Sequence, residues 1–157
     1  MKQTPEEQRI LQRMAPGVLC RAGFLGDDPR PLQEILDTDR AAVEAAGTTH
    51  EALARCLREA YEAAAMAFGA DVPVAGGRLR ATWHEAMGFL PSPFGGGVRF
   101  PKGEVELVDP EAGRTLRYTP LSIHLIAERG FYQGRGGRYR LEPAEVARLF
   151  RLDRGGD

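Results

Sequence analysis

Glu104-Val105-Glu106-Leu107-Val108-Asp109-Pro110-Glu111-Ala112-Gly113-Arg114-Thr115-Leu116-Arg117-Tyr118-Thr119 decides the fold class of this chain. Apolar and polar residues alternate on both sides of the turn Pro110–Gly113. If Asp109 pairs with Arg114, Leu107 falls opposite Leu116 and Val105 opposite Tyr118 on one face. Glu106 then meets Arg117 on the other, so size and charge match across the ladder at once. The register predicts an antiparallel hairpin over 104–119 with one face buried.

Downstream, Thr119-Pro120 supplies an N-cap and a first-turn proline, and Gly130 a stop, predicting a helix to about Arg129. Leu121, Ile123, Leu125 and Ile126 make it apolar nearly all round, as a central buried helix requires. Pro143 opens a last helix with Val146, Leu149 and Phe150 inward. Upstream, Arg78–Glu85 alternates with Leu79, Ala81 and Trp83 on one face and reads as a strand. Leu90–Gly97 reads as a loop, because two prolines and three glycines oppose both helix and ladder. Counted from 89 to 97, this stretch brings Phe89 and Phe94 to line a cleft, form an interface lip or tuck into the sheet.

The first half is helical in pattern. Thr4-Pro5-Glu6-Glu7 caps a helix to about Met14, stopped by Pro16-Gly17. The apolar stripe Leu32, Ile35, Leu36, Val43 marks a second helix ending at Gly47. Thr48 and Glu51 form a capping box for a third, running to about Phe68 with Leu53, Leu57, Ala60, Tyr61 and Ala64 on its inner face. Pro73, Gly76 and Gly77 then mark a joint. The expected fold is α+β in one domain over 1–157: a helical N-terminal lobe (1–70), then a lobe over 78–157 with a small antiparallel sheet (hairpin 104–119) and two C-terminal helices.

Composition bounds the function classes. The chain has 157 residues, 43% hydrophobic and 27% charged, the balance of a soluble globule rather than a disordered tail or fibre. No apolar run is long enough to cross a bilayer, and the first twenty residues lack a hydrophobic signal core, so no membrane role and a cytoplasmic location are expected. The net charge of −1 hides an asymmetry: residues 1–77 carry −4 and residues 78–157 carry +3. Opposite-signed halves favour pairing between copies, so a homodimer is expected.

The sharpest basic excess is Arg129, Arg135, Arg138 and Arg140, with no acid between them. In Phe131-Tyr132-Gln133-Gly134-Arg135-Gly136-Gly137-Arg138-Tyr139-Arg140 the glycines permit backbone N–H groups to converge on an anion. Interleaved Arg and Tyr suit phosphates, carboxylates and flat rings. This makes Tyr132, Arg135, Arg138, Tyr139 and Arg140 the candidate site of a non-catalytic binding protein for an anionic ligand or an acidic protein surface. The competing role of the same residues is structural, with arginines paired to nearby carboxylates and Phe131 and Tyr139 in the core. As a hairpin after the helix at 120–129, the segment would resemble the wing of a winged-helix domain, although that helix is too apolar to lie exposed in a groove.

Residues 39–58 are similar to the DNA-binding helix-turn-helix pattern, with small residues before the turn at Gly47 and apolar steps after it. The resemblance implies a regulator reading DNA through Thr49, His50, Arg55 and Arg58. The acidic charge of that half opposes it, because such proteins neutralise phosphates with a basic surface, so a nucleic-acid partner is not favoured.

Catalytic signals are sparse. Ser92 and Ser122 are the only serines, and neither sits in a Gly-x-Ser-x-Gly elbow. A hydrolase or metal-dependent enzyme would need His84 brought by folding to Glu128 or His124, since Glu85 next to it points to the opposite face of a strand. Cys20, Cys56, His50, His84 and His124 show no short metal-ligand spacing, and no metal or cofactor is expected. Cys56, beside Leu53 and Leu57, reads as a buried free thiol.

Overall fold

In the computed structural model, which describes residues 4–153, the hairpin forms in the expected register. Strand β3 (Arg99–Asp109) pairs with β4 (Arg114–Tyr118): Asp109 meets Arg114, Leu107 meets Leu116, and Val105 meets Tyr118. Glu106 faces Arg117 across the exposed side, with Arg117 Nη2 donating to Glu106 Oε2 at 3.0 Å. Asp109 fixes the turn by accepting from the backbone N–H groups of Glu111 and Ala112.

The sheet is larger than the pattern alone predicts. Its order is β1-β2-β3-β4, all antiparallel, with β1 (Val72–Val74) at one edge and β2 (Leu79–Pro91) beside β3. Leu90 and Pro91, expected in a loop, instead pair with Phe100 and Arg99. The strand survives its glycine and prolines because it bulges. Four residue steps from Glu85 to Phe89 oppose only two from Gly103 to Pro101, and Gly88 takes φ +99° there. Gly103 lies under the Trp83 indole, and a Cβ at 103 would meet the ring at 2.6 Å.

Helices α1 (Pro5–Met14), α2 (Leu32–Ala45), α3 (His50–Ala65), α4 (Pro120–Arg129) and α5 (Pro143–Leu149) complete the α+β fold. The cap of α3 is Thr49, not Thr48: its side chain accepts from the Ala52 N–H at 3.0 Å, and the helix ends at Ala65 rather than Phe68. Thr119 and Ser122 form a reciprocal capping box on α4, and Gly130 closes it in the left-handed conformation.

Two apolar clusters hold these elements. One joins α3, the sheet, α4 and α5 through Leu53, Leu57, Leu107, Tyr118, Ile126 and Val146. Its buried Tyr118 hydroxyl donates to the Leu57 carbonyl at 2.8 Å, satisfying a group that is costly to bury unpaired. The other joins α1, α2 and α4 through Met14, Ile35, Leu121, Leu125 and Phe131, with Leu90 and Phe100 of the long β2–β3 ladder against it. Each cluster draws on both halves of the sequence. The segment 130–141 contains no strand, so the wing-like hairpin does not form.

Candidate functional site

Segment 133–138 lies against the loop at 20–28, more than a hundred positions earlier. Gly134 N–H donates to the Phe24 carbonyl at 2.9 Å and Asp27 N–H to the Arg135 carbonyl at 3.0 Å. Arg135 N–H donates to Asp28 Oδ2 at 3.1 Å. The approach is too close for side chains: a Cβ on Gly134 would collide with the Leu25 carbonyl, and one on Gly26 with the Arg135 carbonyl. The glycines of this segment thus serve backbone contact. The N–H groups of Gly134, Arg135 and Gly137 are occupied by Phe24, Asp28 and Gly134, and do not converge on an open concavity.

Between this pair of loops and the outer face of β2 and β3 opens a cleft with a volume of about 520 Å³. Phe24, Leu90, Pro101 and Leu121 give it apolar walls. Arg21, Lys102, His84 and Arg138 bring basic groups to its lining, against the carboxylates of Glu85 and Glu104.

Glu104 organises one wall. Its Oε1 accepts from Arg138 Nε at 3.1 Å, Arg138 Nη2 at 2.9 Å and the Tyr139 hydroxyl at 2.9 Å, while Arg117 Nε lies 3.4 Å from Oε2. Partial burial pushes its carboxyl pKa up, but the bonds from Arg138 and Tyr139 and the nearby Arg117 outweigh this and hold it below the usual carboxylate range. The group is therefore a fixed anion that positions Arg138 rather than a proton carrier.

Of the five residues the sequence nominates, Arg138 and Tyr139 line the cleft. Arg135 carries an exposed side chain on the outer turn. Arg140 is bound in a buried ion pair with Asp39, at 2.6 and 2.9 Å, and also donates to Glu142 and the Gln133 carbonyl. Tyr132 is buried, its hydroxyl 2.9 Å from His50 Nδ1. These two tie the segment to α2 and α3. Arg21, Lys102 and Gln133 join the cleft unannounced by any motif; only the chain's path shows that they meet.

The histidines do not assemble. His84 is in the cleft, 3.9 Å from Glu106, whereas His124 stacks on Phe100 in a separate depression that also holds Glu128. Cys20 and Cys56 are free thiols, both half-buried. Burial pushes the Cys56 thiol pKa up, away from thiolate reactivity. Among the described residues no group of three or more His, Cys, Asp or Glu side chains is arranged to hold a metal ion. In the region similar to a helix-turn-helix, α3 turns its Leu53–Leu57–Ala60 face into the core, Thr49 caps it and His50 is engaged by Tyr132, leaving Arg55 and Arg58 exposed.

Comparison with protein-family models, with curated proteins and with solved structures finds no match to this chain. No described helix is long and apolar enough to cross a membrane.

Proposed function

We propose that the protein binds a small molecule with an apolar body and an anionic group in the cleft between the loop at 20–28, the segment at 133–139 and the sheet. One observation carries this: Arg138 and Tyr139, from the Gly/Arg/Tyr segment, share an apolar-walled cavity with Arg21 and Lys102, which come from unrelated parts of the chain. Convergent polar groups around an apolar pocket are the ordinary make-up of a ligand site. Arg21 and Lys102 are exposed, with no carboxylate within ion-pair distance among the described residues, and so are free to meet a ligand's charge. Arg138, fixed by Glu104, offers a pre-oriented guanidinium face.

A titration with hexanoate followed by amide chemical shifts tests this, with hexylamine as the opposite-charge control. Hexanoate is expected to shift cleft residues, and the double variant Arg21→Gln, Lys102→Gln to weaken it roughly tenfold, the equivalent of ~1.4 kcal/mol. Equal binding of hexylamine, or shifts scattered outside the cleft, would overturn the assignment.

A second reading concerns self-association. Only residues 79–81 of β2 pair with β1, so from Thr82 onward that edge has no strand partner among the described residues. Met87 and Phe68 near it are each 95% exposed. Unprotected edges with apolar neighbours favour pairing with another copy. Light scattering over a concentration series should give a dimer mass that Met87→Lys lowers; a monomer throughout would end the idea.

A further inference from the structure

Gln133 stands apart from every other residue of the cleft. It is a non-glycine residue at φ +69°, in the left-handed region, and it is only 5% exposed. Such a conformation is strained for a residue with a side chain and persists only where the surroundings over-determine it. Here they do. The Gln133 carbonyl accepts from Arg140 Nη1 at 2.9 Å, and Gly134 is clamped against Leu25 while its N–H is held by Phe24.

What this backbone presents is an unused amide. The Gln133 side chain makes no hydrogen bond within the described residues, and Gln133 is among the residues that line the cleft. No described side-chain polar atom is both sealed from solvent and unpartnered. The Gln133 amide is therefore reached by solvent within a residue that is only 5% exposed, with both a donor and an acceptor unspent beside the cleft that Gln133 lines. A buried polar group gains little from burial unless something pairs with it.

Resting on the binding function proposed above, we infer that Gln133 selects the ligand's neutral end and that this end is a carboxamide. A glutamine amide offers an N–H donor beside a carbonyl acceptor, and a carboxamide matches both at once. A carboxylate can use only the donor and would leave the Gln133 oxygen facing another anion. The basic groups Arg21, Lys102 and Arg138 are exposed, whereas Gln133 is in the buried wall. That division describes a two-ended ligand: an anionic group at the rim, an apolar spacer along Phe24, Leu90 and Leu121, and a planar amide against Gln133.

Three probes of one chain length separate the parts: adipic acid monoamide, hexanoate and hexanamide. Dissociation constants from chemical-shift titration should place the monoamide at least fivefold tighter than hexanoate on the unaltered protein, as a further net hydrogen bond would. Gln133→Met, which keeps the length of the side chain, should abolish that preference, bringing the monoamide and hexanoate constants together. Gln133→Gly should do the same and relaxes the left-handed backbone, so it serves if the methionine variant folds poorly. Hexanoate binding with no amide preference, or a preference that survives both variants, overturns the role of Gln133 and leaves the binding function standing. Failure of both hexanoate and the monoamide to shift any cleft residue removes the binding function itself.

Discussion

Arg140 donates through both terminal nitrogens to the two oxygens of Asp39, at 2.6 and 2.9 Å, and the side chains are only 7% and 3% exposed. The pair links α2 to the segment following α4 across 101 positions of sequence. Burial alone would make the guanidinium easier to deprotonate, yet Asp39 and Glu142 more than compensate and hold it firmly charged. Removing one partner of such a pair strands a charge in a poorly solvated site. Asp39→Ala should therefore destabilise the fold by about 3–5 kcal/mol in urea unfolding. A loss under 1 kcal/mol would mean that Glu142 alone can carry Arg140.

Asp28 predicts an acid-sensitive joint between the two loops of the cleft. Arg30 binds its carboxylate with two side-chain bonds, at 2.9 and 2.7 Å, and this, helped by the Arg135 N–H against the opposing effect of burial, holds the carboxyl well below its ordinary 3.8. A depressed carboxyl pKa contributes stability that is complete above the unfolded value and is lost as pH falls below it through the folded value. Stability should therefore decline steeply below about pH 4, and Asp28→Asn should show a shallower acid slope together with lower stability at neutral pH. An identical slope in the variant would contradict this.

His50 acts in a different pH window. Burial lowers its pKa below 6.5, and its Nδ1 lies 2.9 Å from the Tyr132 hydroxyl. The fold thus favours the neutral ring, a contribution complete above pH 6.5 and eroded as pH falls through the depressed folded value. Imidazole shifts should give a midpoint below 6.5, and Tyr132→Phe should cost about 1 kcal/mol through the lost hydrogen bond. A midpoint at or above 6.5 would show that the ring is solvated.

The glycines of the segment make a graded prediction. Gly134→Ala and Gly26→Ala would push a Cβ into a carbonyl on the facing loop, whereas Gly113→Ala meets no atom within 4 Å and suffers only from its left-handed backbone. The first two should cost about 1–3 kcal/mol in overpacking and also weaken hexanoate binding. Gly113→Ala should cost roughly 1–2 kcal/mol and leave binding untouched. Thermal unfolding beside the titration separates the two classes; equal binding losses would dissociate the cleft from the loop contact.

Local patterns specified the local structure. The 104–119 register followed from side-chain alternation because Val105, Leu107, Leu116 and Tyr118 bury one face, where a one-residue slip would expose all four. Thr119-Pro120 and Gly130 likewise bounded α4, since capping chemistry depends only on near neighbours. β1 was illegible because three residues carry no periodicity, and β2 was cut short because its bulge hides the alternation that resumes at Phe89. The cleft was legible only as a composition. Arg138 and Arg140 sit two positions apart, yet one lines the cavity and the other is sealed against Asp39, a carboxylate that no local rule connects to it. Gln133 gave no signal at all, because its left-handed torsion arises from contacts with Phe24, Leu25 and Arg140 together.

The pairing of the loop at 20–28 with the segment at 133–138 also sets a timetable. During synthesis, α1 and the loop at 20–28 emerge early, but the Phe24 carbonyl, the Asp27 N–H and the bond from Arg135 to Asp28 wait until Gly134 and Arg135 have been made. The hairpin at 104–119 can close on its own as soon as it is made, whereas the cleft needs both the loop at 20–28 and the segment at 133–139 present. A nascent or truncated chain lacking residues beyond 133 should form its sheet and yet capture nothing.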